Sequence, residues 1–258
     1  MAEILATIAD HVRGVVEHRR REAPLSQLRG RPLYQTPTRG FAAALSGSGR
    51  RIVAEVKKAS PSKGLIRANF DPVAIAQDYA VHGASAISVL TEERFFQGDL
   101  DSLAQIHAAV NLPLLRKDFT LDSYQIVEAK SYGADAVLLI AALLDVSLMR
   151  DLREQASELK MDSLVEVHTE AELAAALEAG ADLVGINNRD LKTFEVSLAT
   201  TERLAPLVPP GKPALCESGI DSVDQIRRVE RWGIHAFLIG ESLMRAPHPG
   251  AKLREFLA

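Results

Sequence analysis

HGASAISVL from His82, YGADAVLLI from Tyr132, AGADLVGIN from Ala179 and WGIHAFLIG from Trp232 are four versions of one phrase. In each, a glycine (Gly83, Gly133, Gly180, Gly233) suits the left-handed position just past a helix. The apolar run behind it reads as a parallel strand buried on both faces. These glycines are 50, 47 and 53 residues apart, about twice the length of one strand-helix unit, so each interval must hold a further strand. Each does: PLLRKDF from Pro113, SLVEVH from Ser163 and PALCESG from Pro213. With RIVAEVK from Arg51, eight strands begin near residues 51, 85, 113, 135, 163, 182, 213 and 235. Eight parallel strands alternating with helices predict a (β/α)8 TIM barrel.

Helix starts fall between the strands. Asp71 precedes Pro72, Asp122 precedes a periodic run, and Thr169 with Glu172 has the spacing of a capping box. A doubly wound open sheet would also alternate strand and helix. It would lack the even spacing, and the glycine-rich dinucleotide turn expected after its first strand is missing here. Before the first strand, Ile4, Leu5, Ile8, Val12, Val15 and Val16 recur at helical spacing, which gives an amphipathic helix. The expected organisation is one domain over 1–258, with an N-terminal helical extension over 1–50 and the barrel over 51–258. The basic run His18 to Arg21 reads as a solvated helix end.

Of the 258 residues, 47% are apolar, enough for one large core. A net charge of -4 gives no electrostatic footprint for a nucleic-acid backbone or an anionic membrane, so a small-molecule partner fits better. Glu3, Asp10 and Arg13 interrupt any leader-like apolar region, and no window is long and apolar enough to span a membrane. The single cysteine, Cys216, agrees with a reducing compartment, and the expected location is the cytoplasm. By parity Cys216 faces the helices as a packed thiol. The residues are silent on oligomeric state; a monomer is the working expectation.

In this fold the reactive groups stand at the C-terminal ends of the strands, because packed side chains fill the interior below. Those ends carry Glu55 and Lys57, Thr91 and Glu92, Lys117 and Asp118, Glu166 and His168, Asn187 and Arg189, Glu217 and Ser218, and Gly240 with Glu241. Only the fourth strand, DAVLLIAAL, ends apolar. Glu55 and Lys57 share a face, which neighbours such as Val53 mark as inward. Taken singly, each lysine could form a structural ion pair with Glu55, Glu166 or Glu217. Five ionisable groups converging from four strand ends point instead to a working site, since burying each charge costs several kcal/mol. Arg189 could equally pair with Asp190 or another rim acid. None of the seven histidines forms a close pair on one strand or helix face, so no metal is expected. His168, next to the Thr169 cap, reads as a helix-start residue.

After the seventh strand comes ESG and after the eighth GES. In a barrel these two loops, with a short extra helix near Glu241, commonly cup a phosphate. Gly219 and Gly240 would let backbone amides approach it, with Ser60 or Ser62 adding a hydroxyl from SPSKG.

EVKKASPSKG from Glu55, SVLTEERFFQGDL from Ser88, LLRKDF from Leu114, INNRDL from Ile186, CESGI from Cys216 and LIGESLMR from Leu238 together closely resemble the indole-3-glycerol phosphate synthases of tryptophan biosynthesis. The resemblance runs from about Arg51 to the C-terminus. It implies a carboxy-lyase that needs no cofactor. Its substrate would be 1-(2-carboxyphenylamino)-1-deoxyribulose 5-phosphate, whose indole ring closes with loss of carbon dioxide and water. On the matching motifs, the resemblance implies Lys117 as general acid and Lys57 as the cation for the carboxylate, able to act as acid when the hydroxyl leaves. Glu166 would be the base for dehydration, Glu55 and Asn187 would orient these groups, and Glu217 would bind a ribulose hydroxyl. Phe96 and Arg189 would contact the aromatic ring and rim. Ser60 and the amides of Ser218, Gly219, Gly240 and Glu241 would form the phosphate side. Ser123 stands where the family commonly has proline, which bears only on a helix start.

Two other readings fit parts of the pattern. A Schiff-base aldolase could use Lys57 or Lys117 as nucleophile beside a phosphate cup, and borohydride trapping separates it. A binding protein without turnover would not need the intact acids and bases.

Overall fold

A computed structural model describes residues 3–258. Eight parallel strands close into a barrel: β1 (Arg51–Val56), β2 (Ala86–Leu90), β3 (Leu114–Lys117), β4 (Ala136–Ile140), β5 (Asp162–Val167), β6 (Leu183–Asn187), β7 (Ala214–Glu217) and β8 (Ala236–Ile239). Each pairs with its neighbours in sequence, and β1 closes on β8 with Val53 opposite Leu238. The expected starts agree to within one residue. Gly83, Gly133, Gly180 and Gly233 all take positive φ, between 83° and 95°, where a side chain would be strained.

Strand parity divides the core in two. Val53, Leu115, Leu138, Leu164, Leu183 and Leu215 fill the barrel, while Ile52, Val137, Val165, Ile186, Cys216 and Phe237 face the helices. The filled interior forces a ligand onto the rim. Helix starts follow the sequence signals. Asp71 accepts from the N–H of Val73 and Ala74, and Asp122 makes a reciprocal box with Gln125. The box at Thr169 is only half formed: Thr169 accepts from Glu172 N–H, but the Glu172 carboxylate reaches past the cap to accept from His168 N–H at 2.7 Å.

An N-terminal helix, α1 (Glu3–Glu22), lays Leu5, Ile8, Ala9, Val12 and Val16 against the top of the barrel. The end of α1 corrects the sequence reading, since it is not simply solvated. Arg19 donates to Glu93 at 2.6 Å and to the buried Glu128 at 3.3 Å, and Arg20 pairs with Asp122. Tyr124 donates its hydroxyl proton to the carbonyls of Arg19 and Ala23. Residues between α1 and β1 then run to the opposite face, where Asp135 accepts from Arg39 N–H and Asp162 from Ala42 N–H. The extension therefore clamps both ends of the barrel. Among the described residues no helix is long and apolar enough to cross a membrane.

Candidate active site

Lys117, at the end of β3, is the hub of the rim. Its ammonium lies 3.1 Å from Glu166 Oε2 on β5 and 3.5 Å from Glu217 Oε2 on β7. Glu55 on β1 contacts Lys57 just beyond the same strand. Glu55, Lys117, Glu166 and Glu217 stand one layer above the apolar filling, because each occupies the next inward position on its strand after Val53, Leu115, Leu164 and Leu215. Asn187, at the end of β6, is paired in register with Glu217 and bonds to the Glu166 carboxylate. Its Oδ1 also accepts from Arg189 N–H at 3.0 Å, which shapes the turn after β6.

Close approach explains two glycines. A Cβ at Gly185, next to Glu166 in register, would collide with the Glu217 carboxylate; one at Gly240 would collide with that of Glu55. Gly240 was expected as a phosphate contact; its tight packing against Glu55 is a second constraint. Gly185 was not expected at all, because its partner lies 32 residues away in sequence.

Burial and charge set the proton affinities. Burial disfavours the Lys117 ammonium, but the carboxylates of Glu166, Glu217 and Glu55 outweigh it and raise its pKa above the usual lysine range. Burial would raise Glu166, yet Lys117, His168 and the Asn187 bond hold it down at about 2. Glu217 goes the other way, to about 8: burial and the charges of Glu166 and Glu55 prevail over Lys117. Its Oε1 is buried with no hydrogen-bond partner among the described residues, so the least ionised carboxyl of the cluster presents a bare atom.

The cavity above this cluster is lined by all the site residues that the family resemblance implies: Glu55, Lys57, Ser60, Phe96, Lys117, Glu166, Asn187, Arg189, Glu217, Ser218, Gly219, Gly240 and Glu241; of the other strand-end residues, Thr91, Glu92 and His168 do not line it. On the β7–β8 side, Ser218 and Gly219 take positive φ in succession, 62° and 83°, and a short helix begins at Glu241 behind Gly240. Ser242 Oγ donates to Ile220 O at 2.8 Å and ties the two loops together. Arg189 pairs with Glu241, 3.5 Å away, and not with Asp190. That carboxylate also holds Arg245 at 3.0 Å and lies 3.9 Å from Lys63, so three cations share one anion at the cup. On the other side, Phe96 packs against Phe119 with ring centres 5.9 Å apart. Glu92 holds the turn that presents Phe96, accepting from the N–H groups of Arg94, Phe95 and Phe96.

Several contributors escaped the sequence reading. The apolar end of β4 supplies Leu138 and Ile140 as cavity floor, and α1 supplies Ile4, Leu5 and Ile8 as a wall. Behind Lys117, Arg116 is fully buried, facing outward to Asp118 at 2.9 Å and Glu128 at 2.8 Å. Thr91 and Asp118 belong to that network, with the Thr91 hydroxyl donating to Asp118 at 2.6 Å. Cys216 faces the helices as its parity predicts, bonded by Asn188, with burial pushing its thiol up to about 11. His168 is more than a helix-start residue: its Nε2 lies 3.4 Å from Glu166 Oε1.

A profile of the indole-3-glycerol phosphate synthase family matches residues 5–256, nearly the whole described chain. The chain belongs to the indole-3-glycerol phosphate synthase family. Membership makes it a decarboxylating, ring-closing lyase of tryptophan biosynthesis that acts on a phosphorylated substrate. The indole-3-glycerol phosphate synthase of Chromobacterium violaceum is 48% identical over 98% of this chain and 97% of its own. That of a Roseiflexus species is 50% identical over 99% and 98%. In fold alone, the barrel is similar to KGPDC from Streptococcus mutans, with a TM-score of 0.63 at 15% identity over 81% of this chain and 96% of the other.

Proposed function

We propose that the rim divides its labour in closing the indole ring of 1-(2-carboxyphenylamino)-1-deoxyribulose 5-phosphate. The β7–β8 loops, with Ser60, Ser218, Gly219, Gly240 and the Glu241 amide, take the phosphate, drawn by Lys63, Arg189 and Arg245. The aromatic ring lies on Phe96, Leu138 and Ile140, and Lys57, steadied by Glu55, holds its carboxylate. Lys117 protonates the ribulose carbonyl as the ring closes. Glu217, which lines the cavity beside Lys117, binds a ribulose hydroxyl.

The observation that carries this reading is the shared contact of Lys117 with Glu166 and Glu217. A carboxyl held at about 2 is a poor base, and the main cause of its depression is the Lys117 charge. When Lys117 gives up its proton, that charge disappears and Glu166 gains basicity. The acid step thus arms the base for dehydration. The same contacts argue against a Schiff base, because an amine kept charged by three carboxylates has no free lone pair.

The barrel and its 1–50 extension form one domain in this reading, working as a monomer in the cytoplasm without a metal or cofactor. Lys117→Met tests the site: ring closure should be abolished while inorganic phosphate still binds, seen by displacement of a phosphorylated product analogue. Retained turnover would place the acid elsewhere.

A further inference from the structure

The loops given to the phosphate carry an anion of their own. Three cations from three elements meet the Glu241 carboxylate. Lys63 comes from the hairpin after β1 that pairs Ala59–Ser60 with Gly64–Leu65, Arg189 from the turn after β6, and Arg245 from one helical turn beyond Glu241 itself. Glu241 and Arg189 both line the cavity. An acid at a place that receives phosphate works against binding, because like charges brought side by side repel.

The three contacts are unequal. Arg245 Nε donates to Glu241 Oε1 at 3.0 Å, an ordinary hydrogen bond. Arg189 Nη2, 3.5 Å from Oε2, and Lys63 Nζ, 3.9 Å from Oε1, are held by charge alone. Arg189 is anchored from elsewhere: its Nη1 donates to Phe194 O at 3.2 Å and its backbone N–H to Asn187 Oδ1, so its place at the rim does not depend on Glu241. The adjacent Asp190 carboxylate accepts from the N–H groups of Lys192 and Thr193 instead. Lys63 and Arg245 are exposed, whereas Arg189 and Glu241 are partly buried. Three positive charges against one negative leave two in surplus, and a phosphate monoester near neutral pH carries about -1.5 to -2. The cup is therefore balanced for a monoester only with the carboxylate counted in.

We propose that Glu241 is the resident counter-ion of the phosphate site, which gives up Arg189 and Lys63 to the incoming phosphomonoester and keeps Arg245. This rests on the phosphate reading of the β7–β8 loops given above. In the empty protein the carboxylate holds together three cations that would otherwise repel one another. In the loaded protein it stays beside the phosphate and takes back part of the affinity those cations supply. Substrate and product carry the same phosphate, so this affinity is common to both, and lowering it frees product without touching the reacting groups. Glu241 thus sets how tightly the phosphate is held and takes no part in the chemistry.

Inhibition of turnover by inorganic phosphate, followed through indole fluorescence, reads the effect. Glu241→Gln should bind inorganic phosphate more tightly than wild type, its inhibition constant falling roughly fivefold to tenfold. Asp221→Asn, which removes the same charge from an exposed position in the loop after β7, should leave that constant within about twofold of wild type. Unchanged or weaker phosphate binding in Glu241→Gln would overturn the counter-ion role, because a carboxylate that only aims Arg189 would be missed on removal. An equal gain in Asp221→Asn would overturn it too, by reducing the effect to net charge. If Glu241→Gln does not fold, Glu241→Ala decides by the same criterion. Failure of inorganic phosphate to compete in wild type would overturn the phosphate reading beneath the proposal, an outcome distinct from inhibition that the substitution leaves unchanged.

Discussion

Glu217→Gln should make the protein less sensitive to rising pH. In the folded chain Glu217 keeps its proton up to about pH 8, whereas the unfolded chain releases it near the ordinary value of 4.5. A carboxyl raised on folding binds more protons in the native state, so stability is highest below 4.5 and is lost as pH climbs toward 8. Each unit in that window costs about 1.4 kcal/mol, and between about pH 5.5 and about pH 7.5 this one group removes about 3 kcal/mol. His168, also raised, slopes the same way, so the wild-type curve alone does not isolate Glu217. The variant does: Gln keeps the volume and cannot ionise, while Lys117 keeps Glu166 as a partner. Urea unfolding of both proteins at a series of pH values should show the gap between them widening in favour of the variant by about 3 kcal/mol across that range. Parallel curves would mean that Glu217 is ionised throughout, and that the ranking of the two carboxylates is wrong.

Glu166→Gln should stall dehydration after ring closure, so that quenched reactions accumulate an intermediate lacking carbon dioxide but retaining the hydroxyl; unchanged rate with no intermediate would remove Glu166 as the base. Gly240→Ala should drive the Glu55 carboxylate off Lys57, lowering kcat/KM roughly tenfold or more at a stability cost of about 1–3 kcal/mol; unaltered kinetics would show that the crowding is harmless.

The barrel was legible because its signals are local. A left-handed glycine and an apolar run need no knowledge of distant contacts, and Asp71 and Asp122 cap helices through neighbours two or three residues away. Inward parity likewise carried Glu55, Lys117, Glu166 and Glu217 to one rim. What sequence could not reveal depends on partners far along the chain. Arg116 looks like one more rim cation until Glu128, on the following helix, is seen beside it. Arg19 looks solvated until Glu93 and Glu128 come near, and Gly185 looks like a strand weakness until the Glu217 carboxylate sits over it. The half-formed box at Thr169 shows a subtler limit: the spacing was right, but Glu172 bonds His168, where its carboxylate also meets the ring.

The most direct test mixes the purified wild-type chain with 1-(2-carboxyphenylamino)-1-deoxyribulose 5-phosphate and follows indole fluorescence. The arrangement of Lys117 with Glu166 and Glu217 predicts a signal that grows with enzyme concentration and is absent with Lys117→Met. A flat trace from folded wild-type protein would contradict it.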